Sequence, residues 1–235
     1  MATSKLLELV PRVRTRLLES SERFWSDAEI VAEFNAGISD LWRRINDVFE
    51  DHFLTVDTTN VTMATSATTL TGVPTDVFTV RGLEPVNVST YSALRFEFKP
   101  YNSAEFQSAR SATAFDPGQG GLIYAAVTGA GAPVGAPTIH VAPPLTATIA
   151  IRLSYVPTIA AKTLGDYNPI PGESDQALVY YAVAHLLNKD KDEFTIDRGY
   201  MGKYEEEVTK ILVSVTPRQT QDDEVSEAIF EPYWV

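Results

Sequence analysis

The sequence predicts an α+β protein whose N- and C-terminal helices pack as a bundle, with a central antiparallel β-rich insertion and an extended C-terminal tail. Three observations carry this. Apolar residues recur every three or four positions over 1–53 and again over 172–215, the spacing of one buried helix face. Over 54–160 the period falls to two and Thr, Val and Ser replace the helix formers, as on a pleated strand. Beyond Pro217 the chain turns polar and acidic, then ends on an aromatic cluster. The expected organisation is a single α+β domain over 1–216 and an arm over 217–235.

Residues 4 to 20 carry Leu6, Leu7, Val10, Val13, Leu17 and Leu18 at helical spacing, with Ser4 placed to cap the start. Pro11 lies inside and, past the first turn, removes a backbone donor and kinks the helix. Ser26-Asp27-Ala28-Glu29 matches a capping box, in which the serine oxygen and the glutamate carboxylate each satisfy the other's orphan backbone donor. From there Ile30, Phe34, Ile38, Leu41, Trp42, Ile45, Val48 and Phe49 form one stripe on a helix running to about residue 50.

In the middle, Leu94-Arg95-Phe96-Glu97-Phe98 and Ile149 to Tyr155 alternate, so each strand should bury one face and wet the other. Gly129 to Pro137, GAGAPVGAP, joins strands Leu122 to Val127 and Thr138 to Val141 as an exposed hairpin tip, idle in the monomer and ordering on assembly. Helix returns after Pro169-Ile170-Pro171-Gly172, with Ser174 as cap and Ala177, Leu178, Tyr181, Ala184 and Leu187 on one side. A run of charge, Lys189 to Glu193, interrupts it. The last helix spans about Asp197 to Val213, carries Tyr200, Tyr204, Val208, Ile211 and Leu212, is weakened at Gly199 and Gly202, and ends at Pro217.

Composition excludes several classes. A chain of 235 residues buries roughly 70 to 75% of the surface it exposes when unfolded, enough for a real core. No window approaches the 18 or so apolar residues of a membrane span, and the first twenty residues mix Arg and Glu with Leu, which is not an export signal. The absence of cysteine removes disulfides, thiolate metal sites and cysteine nucleophiles, and suits a reducing cytoplasm. Asn60-Val61-Thr62 and Asn87-Val88-Ser89 are then chance sequons. A net charge of −12 opposes attachment to nucleic acid, which rests on Lys and Arg neutralising phosphate. It suits a surface that duplex DNA slides past without specific binding.

No catalytic, cofactor or metal site is readable. His52, His140 and His185 have no carboxylate or second histidine at ligand spacing. Gly129, Gly131 and Gly135 are wrongly spaced for a phosphate cradle and contain Pro133. No Gly-x-Ser-x-Gly elbow occurs, and the acidic pairs Asp222-Asp223 and Glu205-Glu206 read as solvated. The candidate binding residues are at the C-terminus: Ile229, Phe230, Tyr233, Trp234 and Val235. Aromatics are expensive to leave in water, so this tail either folds back on its own core or docks on another subunit. The second is preferred, because Asp222-Asp223-Glu224 sets the cluster off from the last helix on a polar spacer.

In sequence order, Phe24-Trp25-Ser26-Asp27-Ala28-Glu29-Ile30-Val31-Ala32-Glu33-Phe34-Asn35-Ala36-Gly37 resembles the aspartate-glutamate-isoleucine helix start, with a central asparagine, of the head-to-tail adaptor (connector) family of tailed phages. That of short-tailed phages is particularly similar. Gly72-Val73-Pro74-Thr75-Asp76-Val77 is similar to the family's proline-aspartate approach to a strand. Ile139 to Pro144, Leu153 to Pro157 and Asp175 to Ala182 resemble its closing strands and penultimate helix. The order of these pieces carries the likeness; the β insert between about 85 and 138 is longer than a minimal adaptor needs.

The resemblance implies a virion structural protein at the head-tail interface, made in the host cytoplasm and not an enzyme. It implies a homo-oligomer, a twelvefold ring below the portal ring, extending the DNA channel and offering a platform to a tail or nozzle protein, with the C-terminal arm reaching the portal. A closed ring would use heterologous contacts. The rival readings are a tail-tube or minor capsid subunit, a cell-wall-cleaving enzyme using acidic residues, and a ligand-binding module built on the β portion.

Overall fold

The structure, a computed structural model, describes residues 4–19, 24–129, 137–170, 174–187 and 196–215. These residues form a mixed α+β fold with five α-helices and two sheets. The chain divides into two compact units: a helical unit from Met1–His52 and Ala161–Val235, and a β unit, Phe53–Ala160.

In the helical unit, α1 spans Leu6–Arg16 and buries Leu6, Leu9, Val10 and Val13. It is shorter than the expected 4 to 20, and Ser4 is not its cap. Lys5 holds that position without a side-chain bond, while the Ser4 carbonyl is taken by the backbone N–H of Asn168 at 3.0 Å. Pro11 is the sixth residue of α1, and the helix continues through it. Leu17 and Leu18 fall outside, with Leu18 at φ 57°.

The capping box forms as expected: Ser26 accepts from the N–H of Glu29, and the Glu29 carboxylate accepts from the N–H of Ser26 at 3.0 Å. Helix α2 runs Asp27–Val48 and buries Ile30, Phe34, Ile38, Leu41, Trp42 and Ile45. Val48 is exposed, so the stripe closes one turn earlier than read.

Helix α4, Ser174–Leu186, packs against α1, α2 and α5, the last spanning Arg198–Val215. It is not apolar on one side only: Ala177, Leu178, Val179, Ala182, Val183, Ala184 and Leu186 are all buried, as for a helix enclosed by others. Gly37 permits the close approach of α2, since a Cβ there would lie 3.1 Å from both Leu178 Cδ2 and Tyr181 Cδ1. Ser174 is not a cap either. Its hydroxyl donates to the carbonyl of Ile170 and accepts from Asn168 Nδ2. The buried Asn168 also donates to Asp175 and accepts from Ile170 N–H, so its amide is well satisfied. Asp197 caps α5, accepting from Tyr200 N–H at 2.9 Å. The expected hairpin tip at 130–136, the charge run and everything beyond Val215 lie outside the described residues.

In the β unit, strand β7 (Ile149–Pro157) pairs antiparallel with β3 (Val77–Pro85) along one edge. Along the other it pairs with β1 (Thr55–Asp57) and then β2 (Thr62–Met63). Its alternation holds, with Ile149, Ile151, Leu153 and Tyr155 buried. The second sheet orders β4 (Leu94–Phe98), β5 (Gly121–Thr128) and β6 (Thr138–Ala142).

Here the insertion departs from the wholly antiparallel expectation, because β4 and β5 run parallel, Leu94 opposite Gly121 through Phe98 opposite Ala125. A parallel pair needs a long crossover, and residues 99–120 supply one through α3, Ala104–Arg110, a helix the sequence reading missed. The β5–β6 pair is the antiparallel hairpin expected. Phe106 of α3 is buried with Ala126 and Ala142, while Ala125 and Ile123 enter the main β core. Strand β5 is thus covered on both faces. At Gly72 (φ 75°) a Cβ would fall 1.9 Å from the Asn60 carbonyl oxygen, so only glycine fits.

Candidate assembly surfaces

The sequence-predicted binding residues Ile229, Phe230, Tyr233, Trp234 and Val235 lie outside the described residues. What the structure adds is the helical unit that precedes them and three arrangements of side chains that spacing alone did not reveal.

The first joins α2 to α5. Tyr204 is fully buried, and its hydroxyl donates to Asp40 Oδ2 at 2.5 Å. The same carboxylate oxygen is met by Arg44 Nε at 2.8 Å. The guanidinium then closes a two-pronged contact on Glu205, at 2.6 and 2.9 Å, the geometry that matches a planar cation to a carboxylate. Burial, then the Asp40 hydrogen bond, push the Tyr204 phenol far above its ordinary range. The Glu205 hydrogen bond raises Arg44. The phenol therefore stays protonated and the arginine charged. Glu205 was read as merely solvated; its partner is 161 positions away, and no spacing rule reaches that far.

A second clasp uses the asparagine of the adaptor-like helix start. Asn35 Nδ2 donates to the Lys162 carbonyl at 3.0 Å, and its Oδ1 accepts from Lys162 N–H at 2.7 Å. In the β unit, the Asp76 carbonyl accepts from Thr158 N–H. Residues that carry the family likeness are therefore among those that pin distant stretches of chain together.

The three histidines occupy separate settings. His52 meets Phe49 edge-on, His140 lies 4.6 Å from the Tyr101 ring and 3.0 Å from Thr128 Oγ1, and His185 stacks on Tyr181 with Glu33 at 3.6 Å. That carboxylate was invisible to sequence spacing. Among the described residues no three His, Asp or Glu gather as metal ligands, and no helix is long and apolar enough to cross a membrane. Between β3 and β4 lies an open cleft of about 270 Å³, lined by Leu83, Pro85, Val88, Tyr91, Arg95 and Phe96 among others.

The third arrangement is a cation–aromatic face across α1, α4 and α5. Arg16 sits over the Tyr180 ring at 5.2 Å, and Lys203 lies 5.8 Å from Tyr180 and 5.1 Å from Tyr200. Arg16 Nη1 donates to the carbonyl of Arg12, one turn earlier. No carboxylate among the described residues pairs with Arg12, Arg16 or Lys203, whereas Arg14, Arg44, Lys99, Arg152 and Lys210 all have one.

The chain belongs to the SU10 adaptor protein family, which matches residues 4–228 and so takes in both units and most of the tail. It is therefore a phage structural adaptor, a virion protein of a family that is not an enzyme family. No curated protein matches the chain.

Proposed function

We propose that copies of this chain close into a ring, a dodecamer, below the portal ring, where they extend the DNA channel and present the platform on which a tail or nozzle protein assembles. Residues 1–216 act as one adaptor body, with the helices bundled around the ring, and 217–235 as an arm. Ile229, Phe230, Tyr233, Trp234 and Val235 dock the arm on the portal or on a neighbouring subunit, since buried aromatics are the side chains that most often anchor an interface. The observation that carries this reading is a family match over residues 4–228, which spans both units. The charge of −12 supports a channel wall that passes duplex DNA without holding it.

Quantitative mass spectrometry of purified virions, with the portal protein as internal standard, tests the ring. A ratio near one to one is expected; many copies per portal would make the chain a tail-tube or capsid subunit instead. Truncation after Pro217 tests the arm. The shortened chain should stay soluble and folded but no longer join the portal, and unchanged joining would remove the arm from the scheme.

A further inference from the structure

We infer that the cation–aromatic face of Arg12, Arg16, Tyr180, Tyr200 and Lys203 is the docking surface of the chain's own acidic segment, Asp222 to Glu231, which folds back on it in the unassembled protein. The inference rests on the reading of 217–235 as an arm and assigns that arm its place before assembly.

The face is set up for an anion it does not yet have. Arg12 and Arg16 stand one helical turn apart, where like charges repel, and neither closes an ion pair with a carboxylate among the described residues. Arg16 and Lys203 are instead held against tyrosine rings, contacts that are weak at exposed sites. In a chain with 31 acidic and 19 basic residues, Arg16 and Lys203 on the two rings, with Arg12 one turn from Arg16, bring three cations to one face. Three cations are too few for binding to DNA, which draws on many phosphate contacts.

The tail supplies the complement. After Arg218 it carries Asp222, Asp223, Glu224, Glu227 and Glu231 and no Lys or Arg, with Phe230, Tyr233 and Trp234 beside them. Its reach is sufficient. Lys203 lies twelve residues before Val215, the last residue of α5, or about 18 Å along the helix. Residues 216 to 222 extend to roughly 23–25 Å, enough for the acids to turn back to Lys203. A tethered segment sees its site at an effective concentration near millimolar, so several weak ion pairs suffice. Portal docking would then compete for the same arm, which stays covered until the partner is present.

The chain has no cysteine, so Thr15→Cys with Ser226→Cys allows a donor–acceptor pair to be placed cleanly on the full chain. Energy transfer should be high at about 20 mM salt and fall by about half or more at about 0.5 M, where charges are screened within a few ångströms. R16E/K203E should lower it equally at low salt, with an unchanged melting curve. Adding D222K/D223K/E224K to that variant should bring the transfer back. Transfer indifferent to salt and to charge reversal would overturn the inference. So would transfer between mixed singly labelled chains, which would place the segment on a second copy. The same holds if R16E/K203E kept its transfer and lost affinity for duplex DNA. Failure of the arm reading shows elsewhere, as unchanged portal joining after truncation at Pro217.

Discussion

The two units bury comparable side chains by opposite routes through the sequence. The β unit is one continuous stretch: β5 meets β6 across one hairpin, and β3, β2 and β1 all wait for the later, long strand β7, so every partner lies within the same run of chain. The helical unit is assembled from both ends of the chain. Asn35 bonds Lys162, Leu6 N–H bonds the Asp166 carbonyl, and Tyr204 reaches Asp40. Each of those contacts closes a loop that includes the whole β unit. Closing long loops costs only slowly increasing entropy, about 0.6 kcal/mol per doubling of length, but nothing is gained until the distant contacts form. The β unit should therefore hold its fold when the helical unit loosens, while each unit answers to its own core.

The largest expected effects test that independence. Phe34→Ala removes a fully buried ring from α2 and should cost about 3–5 kcal/mol. Amide exchange should speed across α2, α4 and α5 while the amides of β7 keep their protection. Ile151→Ala, within β7 and equally buried, should cost about 2–5 kcal/mol with the reverse pattern. Equal loss of protection in both units from either change would mean that they unfold as one.

A smaller effect sharpens the account of how the helical unit is closed. Tyr204→Phe keeps the ring in place but takes the donor from Asp40, and a hydrogen bond to a charged group contributes about 1.5–3 kcal/mol. Arg44→Met removes a partly exposed ion pair with Asp40 and Glu205, worth about 1 kcal/mol or less. Chemical denaturation of both variants should rank the buried hydroxyl above the exposed fork. The opposite ranking would move the weight of the clasp to the surface.

Much of this fold was legible because its signals are local. The Ser26–Glu29 box, the stripe from Ile30 to Ile45 and the alternation of Ile149 to Tyr155 each need only a few adjacent residues to be read. Helix α4 was misjudged because its apolar run from Ala177 to Leu186 fits a one-sided and a fully enclosed helix equally well. Helix α3 was missed because it is two turns long and offers a single fully buried anchor, Phe106. The parallel pairing of β4 with β5 depends on that helix and was lost with it. The clasps were out of reach for a different reason. Asp40 and Tyr204, or Arg16, Tyr180 and Lys203, meet only after the chain has returned from the β unit, and no periodicity records that.

The smallest effect separates the units by pH. His140 of β6 packs against Tyr101 beside Thr128, and burial, helped by the charge of Arg110, lowers its pKa below the ordinary 6.5. The sign follows from proton uptake. Between the two values the unfolded chain holds the proton and the folded β unit does not, so stability falls as pH drops below about 6.5 and levels off once the folded ring is protonated too. Above that range the histidine is neutral in both states and nothing is lost. His140→Gln should flatten this part of the pH dependence, read from urea midpoints of the β unit at intervals between about pH 7.5 and 5, with α2 amide exchange as the internal control. A slope unchanged by the substitution would assign the acid sensitivity to other groups and leave His140 as packing alone.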